Sequence, residues 1–443
     1  MQVNITYRDI WRMAYPVMIG SIAITLLNIT DTIYLGRVGE VELGASALAG
    51  VFYFVMVMIG VALGIGTQIQ IARRAGEKNH SAIGEIFDHS VYIFIGLSIV
   101  QFVILRYSSR WLFPLIIKED DVRSACFEFL KYRSFGIFFA MMATSYRAFY
   151  VGIATPKVWG IYSFIIAIVN IFLAYLLVFG KAGMPRMSIA GAGLASTISE
   201  FVGMVFLILY TQFRKGIEEF RLFKFEKFKK ELITKTMILS APLVAQNLIS
   251  MGAWFIFFVF IEKMGKHALA ISNITRSAYM INMTPIWGFM VAANSMVSNI
   301  IGQNRKAEVM TLINRIIKTA TVISIIMVLV CFLIPTQLMS LFTSDAQLIA
   351  DSQGCLKVVD LATLIFPFAI VCISSVSGTG ATRTALYIEV VAIFLYLGYL
   401  YLTVFVFKTS LELAWGAEIL YWVFTGIVSY LFLKSMRWEK INI

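Results

Sequence analysis

What most constrains this chain is the recurrence, along its 443 residues, of long stretches that carry almost no charge. Hydrophobic residues make up 59% and charged residues 14%, whereas soluble domains run at roughly half apolar and a quarter charged. About 20 apolar residues wound as a helix cross a ~30 Å hydrocarbon core, and only helices or closed barrels satisfy their backbone there. The short alternating segments of a barrel are not visible. The expected fold is therefore an all-α polytopic membrane protein with twelve transmembrane helices, at residues 13–35, 48–71, 83–105, 127–152, 158–180, 188–211, 236–261, 271–302, 312–334, 358–379, 386–407 and 415–434. The first span follows only Arg8, Asp9 and Arg12. It is too long for a signal-peptide core and is expected to be retained.

Lys and Arg resist translocation and so orient the bundle. In this scheme the 37 of them divide 23 to 14 in favour of the side that holds both termini. Both termini are expected in the cytoplasm, with the chain multi-pass in the cytoplasmic (inner) membrane. The net charge of +12 follows from this asymmetry and from anionic lipid, not from a nucleic-acid partner. Cys126, Cys331, Cys355 and Cys372 lack metal-ligand or redox spacing and read as packing residues.

The chain also matches itself at an offset of 226 residues. Pro16 aligns with Pro242, Gly39 with Gly265, Gly76 with Gly302 and Gly152 with Gly378, each pair at the same place in the span scheme. Two six-helix lobes follow, 1–212 and 236–443. Because six is even, they should be related by a pseudo-two-fold along the membrane normal, an arrangement found in transporters. Between them, 213–235 forms a basic linker in which phenylalanines alternate with Lys and Arg. It is expected to be an amphipathic helix on the cytoplasmic membrane surface.

No Walker A sequence, dinucleotide fingerprint or soluble domain is present to power the chain. His80, His89 and His267 stand at loops or span edges without HExxH, GxSxG or paired carboxylates, so enzymatic chemistry, a metal site and an organic cofactor are not expected. What remains are intramembrane polar residues, which are costly enough to point to function. Ser21, Thr25, Asn28, Asp31 and Thr32 recur at helical spacing as one stripe on the first span. The equivalent positions of the second half are Asn247, Met251, Trp254, Phe257 and Phe258. The lobes share a scaffold but not a site.

The stretches TDTIYLGRVG, GIGTQIQIARRAGEKN, YRAFYVGIATPKVWG, NIFLAYLLVFG and GAGLASTISE together resemble the multidrug and toxic compound extrusion (MATE) transporters, nearest the DinF-like branch. The resemblance implies two six-helix lobes and export of amphipathic, often cationic small molecules in exchange for H+ or Na+. Its ion-coupling carboxylate falls on Asp31, the cavity asparagine of span 5 on Asn170 and the span 6 hydroxyl on Ser196. Glu200 lies one turn deeper and could restore a carboxylate to the lobe. Where many relatives carry a second carboxylate this chain has Ala174, and the carboxylate some branches place on span 7 falls on Ser250. A sodium ion wants several oxygen ligands whereas a proton needs one desolvated carboxylate, so Ala174 tilts the expected coupling ion toward H+.

Asn28, Thr32 and Tyr34 on the first span, with Gln246 and Asn247 on the seventh, are expected to line the substrate cavity. Glu389 and Glu418 fall near span ends and are expected to be solvated or interfacial. Pro16, Pro242, Pro285 and Pro367 are expected to bend their spans. The alternative function is a flippase for lipid-linked oligosaccharide, which would want cationic side chains in the cavity. The cores of spans 1, 2, 7 and 8 hold essentially none until Arg73 at an inner end. Membrane lipid is the expected surrounding partner, and the monomer the expected working unit.

Overall fold

The computed structural model describes residues 2–225 and 228–441, and the described residues are overwhelmingly helical. The twelve long helices are α1 (Tyr7–Val38), α2 (Glu40–Gly76), α3 (His80–Val103), α4 (Asp120–Gly152), α5 (Lys157–Phe179), α6 (Ser188–Phe213), α7 (Lys230–Glu262), α8 (Lys266–Met283 continuing as Trp287–Gly302), α9 (Val309–Leu333), α10 (Ala346–Gly378), α11 (Thr382–Tyr401) and α12 (Leu411–Lys434). Ten are long and apolar enough to cross a membrane by themselves. The other two have identifiable reasons for falling short. α4 carries Arg133 and Arg147 within its length, and α8 is interrupted by a 3-10 turn, Thr284–Ile286, built on Pro285. Pro16, Pro242 and Pro367 lie inside α1, α7 and α10, so only Pro285 breaks its helix outright.

The internal repeat is legible in these bounds. α2 and α8 start at 40 and 266 and stop at 76 and 302; α4 and α10 start at 120 and 346 and stop at 152 and 378. Each of these differences is 226. The aligned glycines Gly152 and Gly378 occupy the same crossing in each half. A methyl on Gly152 would stand 3.2 Å from the Gln68 carbonyl oxygen, and one on Gly378 would stand 2.6 Å from that of Asn294. Gln68 and Asn294 are themselves repeat partners, so the same close approach recurs in both halves, tightest against backbone at Gly378 and, at Gly152, closed mainly by the Ile71 side chain at 2.6 Å.

The chain divides into two compact units. The first comprises Ile19–Ser240, and the second Gln2–Met18 together with Ala241 onward. The expected boundaries at 212 and 235 thus fall inside the first unit, and each lobe's opening helix is shared. Residues up to Met18 pack with the second unit: Val3 N–H donates to Asn299 Oδ1 at 3.1 Å, and Arg315 donates to the Ile5 carbonyl at 2.6 Å. Conversely the start of α7 packs in the first unit, where Gln70 donates to Thr236 Oγ1 at 2.9 Å and Ser240 to the Leu63 carbonyl at 3.0 Å. Both handovers occur beside the helix-interior prolines Pro16 and Pro242.

Within the first unit α4 is central, packing along α2, α3 and α6; within the second α10 has the same role against α8, α9 and α12. Large side chains such as Phe255, Phe394 and Leu431 face outward, as a bilayer-facing surface requires.

The linker departs from expectation. Instead of a long amphipathic helix it holds, among the described residues, one 3-10 turn, Ile217–Phe220, followed by turn and irregular backbone up to residue 225 with Arg221, Phe223 and Phe225 at positive φ. The cause is side-chain capture by α3. Asp88, 3% exposed, accepts from Phe223 N–H at 2.8 Å and Phe225 N–H at 2.9 Å. His89 Nε2 accepts from Lys229 N–H at 2.9 Å while its Nδ1 lies 2.8 Å from the Glu85 carbonyl. Phe220 is buried, and Gly84 leaves room for its carbonyl. A strap tied by its own backbone N–H groups cannot spend them on a helix.

Candidate functional site

Asp31 sits on α1 seven residues before its end, so it does not cap the helix. The polar stripe around it uses its hydroxyls locally. Thr25 donates to the Ser21 carbonyl at 3.0 Å and Thr32 to the Asn28 carbonyl at 2.9 Å, which removes these donors from any contest for Asp31. Asn28 and Thr32 are exposed, whereas Tyr34 is half-buried with its ring 5.6 Å from that of Phe179 and 6.1 Å from that of Tyr175. Tyr34 is thus part of an aromatic group with α5.

Asp31 itself is half-buried, but its Oδ1 is enclosed and has no hydrogen-bond partner. Asn170, fully buried on α5, donates through Nδ2 to Ser196 Oγ on α6 at 2.9 Å, and its Oδ1 is likewise enclosed and unpartnered. Both orphans are acceptors. A buried acceptor without a donor is unfavourable by roughly 1–3 kcal/mol, so the first unit holds two places where a proton or a cation would be stabilised. Ala174, one turn beyond Asn170, is fully buried in an apolar cluster with Leu177 and Ala195. No ligand is contributed from that position.

Glu200 is not the free carboxylate that its mid-span position suggested. Arg133 on α4 donates to it with both terminal nitrogens, Nη1 to Oε2 and Nη2 to Oε1, each at 2.7 Å. The Tyr53 hydroxyl donates to Oε2 at 3.3 Å, and the guanidinium lies 3.7 Å from the centroid of the Tyr53 ring. Gly136, one helical turn from Arg133, has no side chain because a Cβ there would strike both Arg133 and Glu200. The guanidinium also acts electrostatically on Asp31. Arg133 was not singled out from sequence, although a lone Arg well inside an apolar run was the available signal.

In the second unit Asp31 is replaced by Phe257, which packs on Trp415 with ring centroids 4.8 Å apart. Yet this unit is not free of acid. Glu389 and Glu418, expected to be solvated, are each 2% exposed. The Tyr279 hydroxyl donates to Glu418 at 3.2 Å and that of Tyr396 at 3.1 Å, while Trp422 Nε1 donates to Tyr279 at 2.8 Å. Tyr53 and Tyr279 are repeat partners, so the same tyrosine position binds a carboxylate from the last helix of each lobe. Ser250, where the sequence left no carboxylate on α7, receives one from α11, since Glu389 Oε1 lies 2.5 Å from its hydroxyl. Gln246, expected in the substrate cavity, gives its amide to Glu389 at 3.3 Å; Asn247 beside it is half-buried. These acids were misread because nearness to a span end says nothing about which neighbour covers them.

Comparison with known proteins matches this architecture. The MatE family model fits residues 16–176 and again 242–402, two copies displaced by the same 226 residues as the helices. The "Probable multidrug resistance protein NorM" of Thermotoga maritima is 26% identical over 438 residues, covering 98% of this chain and 93% of the relative. The protein of that name in Mannheimia succiniciproducens is 21% identical over 394 residues, covering 87% and 83%. Among solved structures, an outward-facing multidrug resistance MATE transporter of the MOP superfamily superposes with a TM-score of 0.91 at 20% identity, over 98% of this chain and 97% of the other. A MOP superfamily transporter from Pyrococcus furiosus, described as having a binding pocket of reversed polarity, gives 0.89 at 20% identity over the same shares. With one family model covering both halves of a twelve-helix fold, the chain belongs to the MatE family, the multidrug and toxic compound extrusion transporters.

Proposed function

We propose that this protein is a secondary active multidrug exporter of the cytoplasmic membrane. It works as a monomer with both termini in the cytoplasm, and expels amphipathic, often cationic small molecules in exchange for protons. The observation that carries the reading is the pair of enclosed, unpartnered acceptors, Asp31 Oδ1 and Asn170 Oδ1.

From the outer side a proton reaches Asp31 and neutralises it. The loss of charge weakens the hold on a cationic substrate, which leaves, and gives the carboxyl a donor that an enclosed acceptor such as Asn170 Oδ1 can take up. Proton release to the cytoplasm restores the anion and with it the attraction for the next cation. Arg133 holds a fixed positive charge in the same unit, and Glu200 compensates it, so within the first unit the charge that changes during the cycle is that of Asp31. H+ is favoured over Na+ because Ala174 contributes no oxygen and Glu200 is already committed to Arg133. A flippase for an anionic pyrophosphate lipid is disfavoured on the same ground. The cation nearest the site already has its carboxylate.

The test is dye efflux from proteoliposomes under separate H+ and Na+ gradients. Wild type is expected to respond to the pH gradient, and Asp31→Asn to lose that response while inserting normally. Efflux driven by Na+ at fixed pH would overturn the choice of ion, and undiminished efflux by Asp31→Asn would overturn the site.

A further inference from the structure

Three carboxylates of the second unit, Asp360 on α10, Glu389 on α11 and Glu418 on α12, take part in none of the ion pairs among the described residues. Asp360 is 8% exposed, the other two 2%. An ionised carboxylate withdrawn from water without a counter-charge is strongly disfavoured. The three differ in what their surroundings allow.

Asp360 has one neutral donor, Asn282 Nδ2, at 3.3 Å. Glu418 is held by tyrosines at 3.1 and 3.2 Å, longer than the ~2.5–2.7 Å of a hydroxyl bonded to an anion, in a closed aromatic setting. Glu389 is different. Its Oε1 lies 2.6 Å from the Tyr421 hydroxyl and 2.5 Å from Ser250 Oγ, and its Oε2 accepts from Gln246 Nε2 at 3.3 Å. Ser250 Oγ lies in addition 2.8 Å from the carbonyl oxygen of Gln246, one turn earlier on α7.

A serine hydroxyl has one proton, and here two acceptors compete for it. The count closes when Glu389 carries a proton on Oε1, gives it to Ser250 Oγ, and Ser250 gives its own to Gln246. When Glu389 loses that proton, a rotation of the Ser250 hydroxyl supplies a donor to the new carboxylate. The two protonation states then differ by one proton and one hydroxyl rotation, with no heavy atom displaced.

The internal repeat shows that the scaffold does not need this arrangement. The positions 226 residues before Gln246 and Glu389 are Gly20 and Ser163, and they meet in the first unit: a methyl on Gly20 would stand 3.0 Å from Ser163 Oγ. The same helix crossing is therefore built once with a glycine and a serine, and once with an amide and an acid.

We propose that Glu389 is a second proton-exchange site, carried by the second unit, with Ser250 as its switching hydroxyl and Tyr421 as its fixed donor. From α12 the titratable groups facing it are Tyr421 and, through Tyr421, Glu418. From α11 there is Tyr396, whose ring is 5.9 Å from that of Tyr421; α7 presents the uncharged Gln246 and Ser250, and of the two acids of α10, Asp360 is turned to Asn282 and Asp351 to His267. The part this proton plays in transport rests on the antiport reading above; its presence does not.

The experiment is infrared difference spectroscopy of the full-length protein in lipid, cycled between acid and alkaline pH, in an Asp31→Asn background. A C=O component of a protonated carboxyl, separate from those of Asp360, Glu418 and the exposed acids, is expected to persist there and to be lost in Asp31→Asn/Glu389→Gln, with Ser250→Ala shifting its frequency. In proteoliposomes the H+ to dye ratio, read from reversal potentials, is expected to fall by one proton in Glu389→Gln alone. An unchanged band and ratio in the Gln variants overturns the proposal. Should those variants fail to fold, absence of the Ser250→Ala shift overturns it instead. A wild type indifferent to proton gradients but with the Glu389 band intact would remove the antiport reading and leave the site standing.

Discussion

Replacing Glu200 should cost the first unit more than any other single polar change. The Arg133 and Glu200 side chains are each 13% exposed and joined by two bonds of 2.7 Å. With charge centres ~4 Å apart and an effective dielectric constant of ~20, their attraction is about 4 kcal/mol. Removing one partner leaves the other buried and unpaired, for which ~3–5 kcal/mol is typical. Glu200→Ala is expected at the upper end and Glu200→Gln at the lower, because an amide oxygen can still accept one guanidinium N–H. The Tyr53 face offers no rescue, since its contact at 3.7 Å is already made in the wild type. Arg133→Met/Glu200→Met removes both charges together and is expected to recover to within ~1 kcal/mol of wild type, as apolar replacements of buried pairs do. Reversible unfolding in mixed micelles, followed by Trp fluorescence, of wild type, Arg133→Met, Glu200→Met and the double variant gives the four free energies of the cycle. A Glu200→Ala loss below ~1 kcal/mol, or a double variant no more stable than the singles, would refute the view that this pair is a desolvated, mutually dependent unit.

Four further outcomes follow from the packing. Gly136→Ala is expected to disturb the same ion pair from its other side and to destabilise by ~1–3 kcal/mol; wild-type stability in the unfolding assay would contradict the close contact. Gly378→Ala and Gly152→Ala should each be destabilising on a similar scale of ~1–3 kcal/mol. Gly96→Ala and Gly398→Ala, where nothing lies within 4 Å of the added carbon, should be neutral or slightly stabilising in the same assay. Asp88→Ala strands the N–H groups of Phe223 and Phe225 and is expected to accelerate tryptic cleavage at Arg221 and Lys224 severalfold; an unchanged digestion rate would show that the strap is held by its phenylalanines alone.

The number of helices and their grouping were legible because hydropathy is a local property and the 226-residue repeat is a property of the chain itself. Asp31 stood out for the same reason, as an acid within an apolar stripe whose repeat partner is aromatic. Partners were not legible. Whether Glu200 is free or paired depends on Arg133, 67 residues away, and whether Glu389 is wet or dry depends on α7 and on the next helix, α12, which hydropathy does not place against it. The linker was misjudged in the same way. Its basic and aromatic alternation does suit a surface helix, but Asp88 and His89 offer its backbone a better set of bonds. Hydropathy also could not reveal that α1 changes allegiance at Met18, since apolarity does not say which unit a stretch of helix packs with.

That change of allegiance has a consequence for biogenesis. Synthesis runs from the N-terminus, so Gln2–Met18 are made well before the helices they pack with, which begin only after Ala241. The first unit closes when Thr236 and Ser240 arrive, while the opening segment must stay unclaimed in the membrane until α8 and α9 are inserted and Asn299 and Arg315 can bind it. A nascent chain of this protein therefore carries that segment as a loose end while the whole first unit is made, and the second unit is completed by residues translated before the first.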